Sequence, residues 1–375
     1  MERIVKILKK PITSTIISIF AGFIVVSIIL SLTGYNPIEA FSALFNGMFS
    51  KPKYIANIFI KSTPIILTGV SVSFAFKTGL FNMGAEGQYI MGTIAATIVG
   101  ILLDLPPVLQ IPAIILSGMI AGALYGGIVG LLKAKFGIHE VITSIMLNWI
   151  ALYLCNFIVN TKRFHQENST GTYMIKESGF TTILYKWKTS EEGIAYLSDH
   201  PILREVLLKT DLNIGFIIAL IVVAITVIIL NHSTKGYELR SVGFNRHAAE
   251  FAGINVNKNI IHSMLIAGAI AGLAGALSIT GVAPHKISTM AAFENYGFNG
   301  LSVSLIAGTS PVGCIFAGLL FGGLLYGGQS IQSDIGAPSE VISIMIGTII
   351  FFVALSSVIP ALAGKLAKRG GKNDK

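Results

Sequence analysis

Charge is what this sequence has least of. Only 12% of its 375 residues are Asp, Glu, Lys or Arg, against 53% hydrophobic residues and a mean hydropathy of +0.74. An ordinary soluble domain carries about twice that share of charge, roughly 25%. Cysteine is nearly absent too. Cys155 and Cys314 both fall within apolar runs, which leaves no disulfide framework and no thiolate metal site. There is no GxxxxGK[ST] phosphate loop, no HExxH and no GxSxG, so the chain shows no recognisable machinery for hydrolysis.

What is there is long uncharged sequence. The stretches 11–38, 62–76, 87–103, 105–132, 141–161, 212–234, 259–284, 295–333 and 341–364 hold no Asp, Glu, Lys or Arg. A helical membrane span needs about 20 apolar residues, and 295–333 is long enough for two, broken near Ser310-Pro311. Ten spans are expected. The stretches near 62–76 and 299–309 are short and bounded by Gly and Pro, as in interrupted helices that line a cavity instead of facing lipid. The first apolar run, from Ile12, follows a basic start but is too long for a signal peptide core and lacks a small-x-small cleavage site, so it reads as an uncleaved span.

The chain also repeats itself. EVITSIM at 140–146 returns as EVISIM at 340–345, FNMGAEGQYIMGT at 81–93 returns one residue shorter as FNGLSVSLIAGT at 298–309, and Gly34-Tyr35 returns as Gly236-Tyr237. Copies with an odd number of spans are inverted relative to each other, an arrangement by which many transporters build a central site open to either side. The expected fold is therefore an all-α integral membrane protein of about ten transmembrane helices in two inverted repeats. It is read as one domain over 1–375, with repeat one over about 11–160, an external insert over 161–211, repeat two over 212–362 and a basic cytoplasmic tail over 363–375.

Orientation follows from Lys and Arg. Arg3, Lys6, Lys9 and Lys10 precede the first span, and Lys365, Lys368, Arg369, Lys372 and Lys375 follow the last, which places both termini in the cytoplasm. The net charge of +9 is thus mostly a topology signal, and no face is basic enough for nucleic acid.

The expected cytoplasmic loop 232–259 contains a short helix over Asn245–Ala252, with Asn245 as its N-cap and Gly253 as its stop. Ala248, Ala249 and Ala252 give it a small-residue face where a partner can approach closely. The plain alternative is a connector lying on the membrane surface. A transporter without an energy-converting site draws work from elsewhere, and an ATPase docked here is one solution.

The segments GLFNMGAEGQYIMG (79–92), GIHEVITSIMLNWIA (137–151) and KGYELRSVGFNRHAAEFAGINV (235–256) resemble the membrane-spanning permeases of bacterial ABC importers in the branched-chain amino acid, ribose and nucleoside group. The EGQ form at Glu86 to Gln88, HEVI at 139–142 and the long insert are most similar to the nucleoside permeases. The resemblance covers about 11–362 and implies a plasma-membrane importer with a second, related permease as heterodimer partner. It also implies a cytoplasmic ATPase that uses ATP and Mg, and an external substrate-binding lipoprotein. Under it, Gly243, Arg246, Ala248, Ala249, Ala252, Gly253 and Ile254 form the ATPase-docking loop. This chain itself needs no cofactor.

A substrate path is expected beside Asn82, Glu86, Gln88 and Asn299. A carboxylate at membrane depth is costly enough to imply a role, although Glu86 can equally be paired with Lys77. Amides suit sugar hydroxyls or base edges, and Phe81 and Phe298 can stack a nucleobase or simply pack. Glu140 and Glu340 fall where a carboxylate caps a helix. Outside, 35–60 and 161–211 are candidate receptor surfaces, the second either a small folded insert or a mobile loop. Glycine and alanine at intervals of four in 118–130, 267–281 and 313–328 read as close helix packing. The substrate is then a nucleoside, with a simple sugar as the alternative. An ion-coupled secondary transporter fits less well because its spans would carry ionisable groups.

Overall fold

The computed structural model describes residues 11–356. The basic N-terminus and the basic tail expected in the cytoplasm lie outside the described residues. The helices are α1 (Pro11–Leu32), α2 (Pro37–Phe49), α3 (Pro52–Phe76), α4 (Ala85–Leu102), α5 (Pro107–Phe136), α6 (Glu140–Val159), α7 (Glu191–Ser198), α8 (Gly215–His232), α9 (Thr234–Phe244), α10 (Arg246–Phe251), α11 (Val256–Gly281), α12 (Tyr296–Ile306), α13 (Pro311–Ile335) and α14 (Ser339–Leu355). Among the described residues the β-structure is limited to three isolated bridges.

Seven helices (α3 to α6, α8, α11 and α13) are long and apolar enough to cross a membrane, or eight if the pair α1 and α2, bent by 120°, is counted. α14, with 17 residues, and α12, with 11, fall short of a full span. One expectation needs correcting. The stretch 62–76 is the second half of an unbroken 25-residue helix, α3, whose start was hidden because Lys61 interrupts the uncharged run. The short partner of the pair, α12, packs along α3: the Thr68 hydroxyl donates to the Tyr296 carbonyl at 2.8 Å.

The chain forms two compact units, 1–51 with 323–375, and 52–322. Within the first, α1 packs on α14, and Phe23 meets Phe41 of α2 edge-on at 5.0 Å. Asn36 caps α2 by accepting from the Ile38 amide at 3.0 Å, with Pro37 at the first helical position.

Within the second, α3 is buried along most of its length, and its hydroxyls turn back onto backbone carbonyls, as Ser62 does to Ile58 at 2.6 Å. Alongside it α5 and α11 lie backbone to backbone. A methyl group added at Gly122 or Gly268 would run into the other helix's main chain, as small-residue packing in membranes requires. α5 ends at Gly137, φ +67°. Glu140 is the first residue of α6 but not its cap; His139 accepts from the Val141 amide, and Glu140 pairs with Lys133. Glu340 likewise sits inside the first turn of α14, after Pro338.

Residues 161–211 form a folded insert. Ser190 caps α7, and the buried Lys188 ammonium donates to the carbonyls of Leu207 at 2.9 Å and Thr210 at 3.1 Å. The amides of Ile175 and Thr181 donate to the carbonyls of His285 at 3.0 Å and Thr280 at 2.9 Å. His285 is buried, stacked on Phe180 with ring centroids 3.8 Å apart, and burial holds its imidazole below the ordinary histidine range.

Candidate functional site

The turn between α3 and α4 concentrates buried polar side chains. Asn82, Glu86 and Gln88 have no exposed surface. Asn82 and Gln88 exchange two amide hydrogen bonds, Nδ2 to Oε1 at 2.9 Å and Nε2 to Oδ1 at 3.0 Å. Asn82 also donates to Ser71 Oγ at 3.1 Å, and Ser71 donates to the Ala267 carbonyl at 2.6 Å. From α6, Asn148 accepts from the Gly87 amide at 2.8 Å and donates to the Met83 carbonyl at 2.9 Å. A single turn thus ties α3, α4, α6 and α11 together. Asn148 was not among the expected residues, though an amide in an otherwise apolar stretch of helix was its signal.

Glu86 reaches a fifth helix. Its Oε1 accepts from the Asn295 amide at 2.9 Å, and its Oε2 from the amides of Gly297 at 2.6 Å and Phe298 at 3.4 Å. These are the leading N–H groups of α12, whose own N-cap, Asn295, is left-handed and makes no side-chain cap. A carboxylate borrowed from α4 fills the role and meets the positive end of the helix. Gly297 makes the approach possible, since a side chain there would overlap the backbone of Ala85 and Glu86. Lys77 donates to Thr309 Oγ1 at 3.1 Å, so the alternative Glu86–Lys77 pairing is not formed. Asn299, Phe81 and Phe298 are half-buried; Phe81 packs edge-on against Phe76 at 5.2 Å, and Phe298 against Phe293 at 5.7 Å.

A cavity of about 280 Å³ lies beside this junction, bounded by α3, α4, α11 and the non-helical segment between α11 and α12. None of the six expected path residues lines it. Its polar wall includes Lys61, Tyr89, Asn213, Lys286, Glu294 and Tyr296. Glu294 accepts from the Tyr89 hydroxyl at 3.0 Å, and the rings of Tyr89 and Tyr296 lie 5.2 Å apart. The segment is held in place by Asn156 of α6, which exchanges hydrogen bonds with the Met290 main chain at 2.9 and 2.7 Å. With Glu86 on the α12 N-terminus, the cavity presents a carboxylate, two ammonium groups, an amide and hydroxyls, a set suited to hydrogen-bonding a polar solute. Among the described residues no group of three His, Cys, Asp or Glu side chains can hold a metal ion.

On the far side of α3, the loop 232–256 folds into α9 and α10. Ser233 caps α9 by accepting from the Gly236 amide at 2.9 Å, and Asn245 caps α10 by accepting from the Ala248 amide at 3.1 Å. Gly253, φ +83°, follows the last turn. The Glu238 carboxyl, hydrogen-bonded by Lys235 at 2.9 Å and Asn259 at 3.1 Å, is held below the ordinary range. Gly243 lies against the carbonyl of Lys77, which fastens the loop to the end of α3. Arg246, Ala248, Ala252 and Gly253 are exposed and Ile254 is half-buried, but Ala249, expected at the centre of the docking face, is only 4% exposed. Adjacent helical positions point about 100° apart, so Ala249 faces the protein while its neighbour Ala248 faces out. The outward apolar groups are Phe244, 91% exposed, and Phe251, 97% exposed, which the sequence reading had passed over.

A model of the family described as branched-chain amino acid transport system / permease component matches residues 54–355, the helices that build both the cavity and the loop. The chain belongs to this family. This permease is 40% identical over 360 residues, 96% of its own chain and 97% of the relative, to the guanosine ABC transporter permease protein NupP of Bacillus subtilis (strain 168). It is 36% identical over 356 residues, 93% of its chain and 92% of the relative, to the nucleoside ABC transporter permease protein NupB of Lactococcus lactis subsp. cremoris (strain MG1363). Identity is 28% over 345 residues, 91% of the permease and 86% of the relative, to the glucose ABC transporter permease protein TsgB13 of Haloferax volcanii. The first two bacteria each hold a second, more distant relative of the permease with the same kind of name.

Proposed function

We infer that the chain is the translocation subunit of an ABC importer for a nucleoside. Near full-length similarity to permeases named for guanosine and nucleosides carries the reading, and the cavity of polar, charged and aromatic groups is consistent with it. Ten spans arise if α1, α12 and α14 join the seven long helices, and both halves of the chain then run in one order: a long helix, one or two short helices, a long helix, and three more. That order, with the matched motifs, supports two inverted repeats in a single domain with both termini cytoplasmic. Asn82, Glu86 and Gln88 act from behind the path, fixing the helices that form its wall, with Asn299, Phe81 and Phe298 beside them.

Work comes from a separate ATPase that uses ATP and Mg and seats α10, with Phe244 and Phe251 as the apolar anchors in its groove. One docking loop per chain and two ATPase sites per motor call for two permeases, and the second relative in each of two bacteria favours a heterodimer. An external lipoprotein delivers the solute to a bacterial plasma membrane. Purified complex in liposomes, loaded with ATP, tests this: saturable uptake of radiolabelled guanosine or adenosine is expected, and uptake driven by an ion gradient without ATP would sink it. The glucose relative supports a simple-sugar importer as the second reading, which glucose or ribose uptake without nucleoside competition would establish.

A further inference from the structure

We propose that Glu294 and Lys61 form a base-reading pair that makes the cavity selective for 6-oxopurine nucleosides. The proposal rests on the nucleoside reading above and deepens it. Glu294 is exposed to the cavity, and among the described residues its carboxylate has one hydrogen bond, from Tyr89 to Oε2. Oε1 and the remaining lone pairs are open. Lys61 lines the same cavity and has no hydrogen-bond partner among the described residues, whereas Lys286, the other ammonium there, is spent on Gln166 and Ser169 at 3.0 Å each.

A carboxylate only accepts and an ammonium only donates. Together they match an edge that offers adjacent N–H donors beside a carbonyl oxygen. Guanine presents that edge: N2–H and N1–H toward Glu294, and O6 toward Lys61. Adenine presents an acceptor at N1 and a donor at position 6, so the carboxylate would face a lone pair. Tyr296, half-buried with its ring held against Tyr89, supplies a π-face for the base. An anion would meet Glu294 without the compensation of a free helix N-terminus, since Glu86 has taken the leading amides of α12.

The test uses the reconstituted complex with its ATPase, partner permease and receptor. ATP-driven uptake is measured at concentrations that saturate the receptor, whose affinity for each solute is determined separately. Glu294→Gln should cut guanosine uptake roughly tenfold while changing adenosine uptake by less than about twofold, as expected when a charge-assisted hydrogen-bond pair is lost. Wild-type complex should carry 1-methylguanosine, which lacks N1–H, far more slowly than guanosine. Equal losses for both nucleosides in an assembled Glu294→Gln complex would overturn the proposal and assign the carboxylate to the ribose hydroxyls. If that variant does not assemble, the 1-methylguanosine comparison decides, and equal wild-type rates for the two overturn it. A wild-type complex that imports no nucleoside would overturn the nucleoside reading as well; guanosine import that Glu294→Gln leaves intact would overturn this proposal alone.

Discussion

Glu86 is a buried carboxylate whose hydrogen bonds all come from the protein's own backbone. The Asn295 amide and two amides of α12 depend on its two oxygens, and hydrogen bonds to a charged group are worth about 1.5–3 kcal/mol. Glu86→Gln keeps one acceptor, so the melting temperature and the uptake rate should fall together, as both follow from a loosened α12. An unchanged melting temperature with lost uptake would instead make Glu86 a direct contact. His285 gives a pH dependence. Burial holds its imidazole below the ordinary histidine value of about 6.5, so just below that pH the unfolded chain binds a proton that the folded chain does not. Stability is complete above that pH and declines as pH falls. His285→Asn, which tolerates the left-handed φ of +54°, should flatten the decline of thermal stability between pH 7 and pH 5; an unaltered slope would refute this. The two residues also mark what was legible in the sequence. Asn245 was recognised as a cap because its partner, Ala248, is three residues away. Glu86 was singled out only as a costly charge, since the amides it caps lie more than two hundred residues along the chain, and no local pattern carries that pairing.

At the scale of elements, uncharged runs located most of the long helices but misplaced α3. Counting charges assumes that each one meets water at a membrane surface. Lys61 meets a cavity inside the fold, so the helix continues through it. α10 was legible from its cap and its stop, yet its facing was not: the small residues drew attention to Ala249, while burial on the protein side explains why that position is small. The outward phenylalanines give a separable prediction. Phe244→Ser with Phe251→Ser should abolish co-purification of the ATPase while leaving the melting temperature within about 2 °C, as surface changes usually do. Ala249→Arg should lower the melting temperature by more than that through overpacking. Retained ATPase binding in the double variant would remove these two residues from the docking face.

For the whole molecule, mass measurement of the intact complex should find one copy of this chain beside one related permease; two copies would establish a homodimer. The composition fixed the membrane class before any motif was considered, while the cavity was invisible to it, because Lys61, Tyr89, Glu294 and Tyr296 come from three separate stretches and meet only after folding.

The packing of α5 on α11 has a mechanical consequence. Where Gly118 and Gly122 meet Gly268 and Gly272, backbone lies directly on backbone, and the pair behaves as a stiff rod. α11 starts at Val256, directly after the loop that carries Phe251, and its last turns supply Leu277 and Ser278 to the cavity wall. Its 26 residues span roughly 39 Å at 1.5 Å each. A thrust applied to the loop therefore arrives at the solute's wall as displacement of the rod's far end, without a hinge between to absorb it.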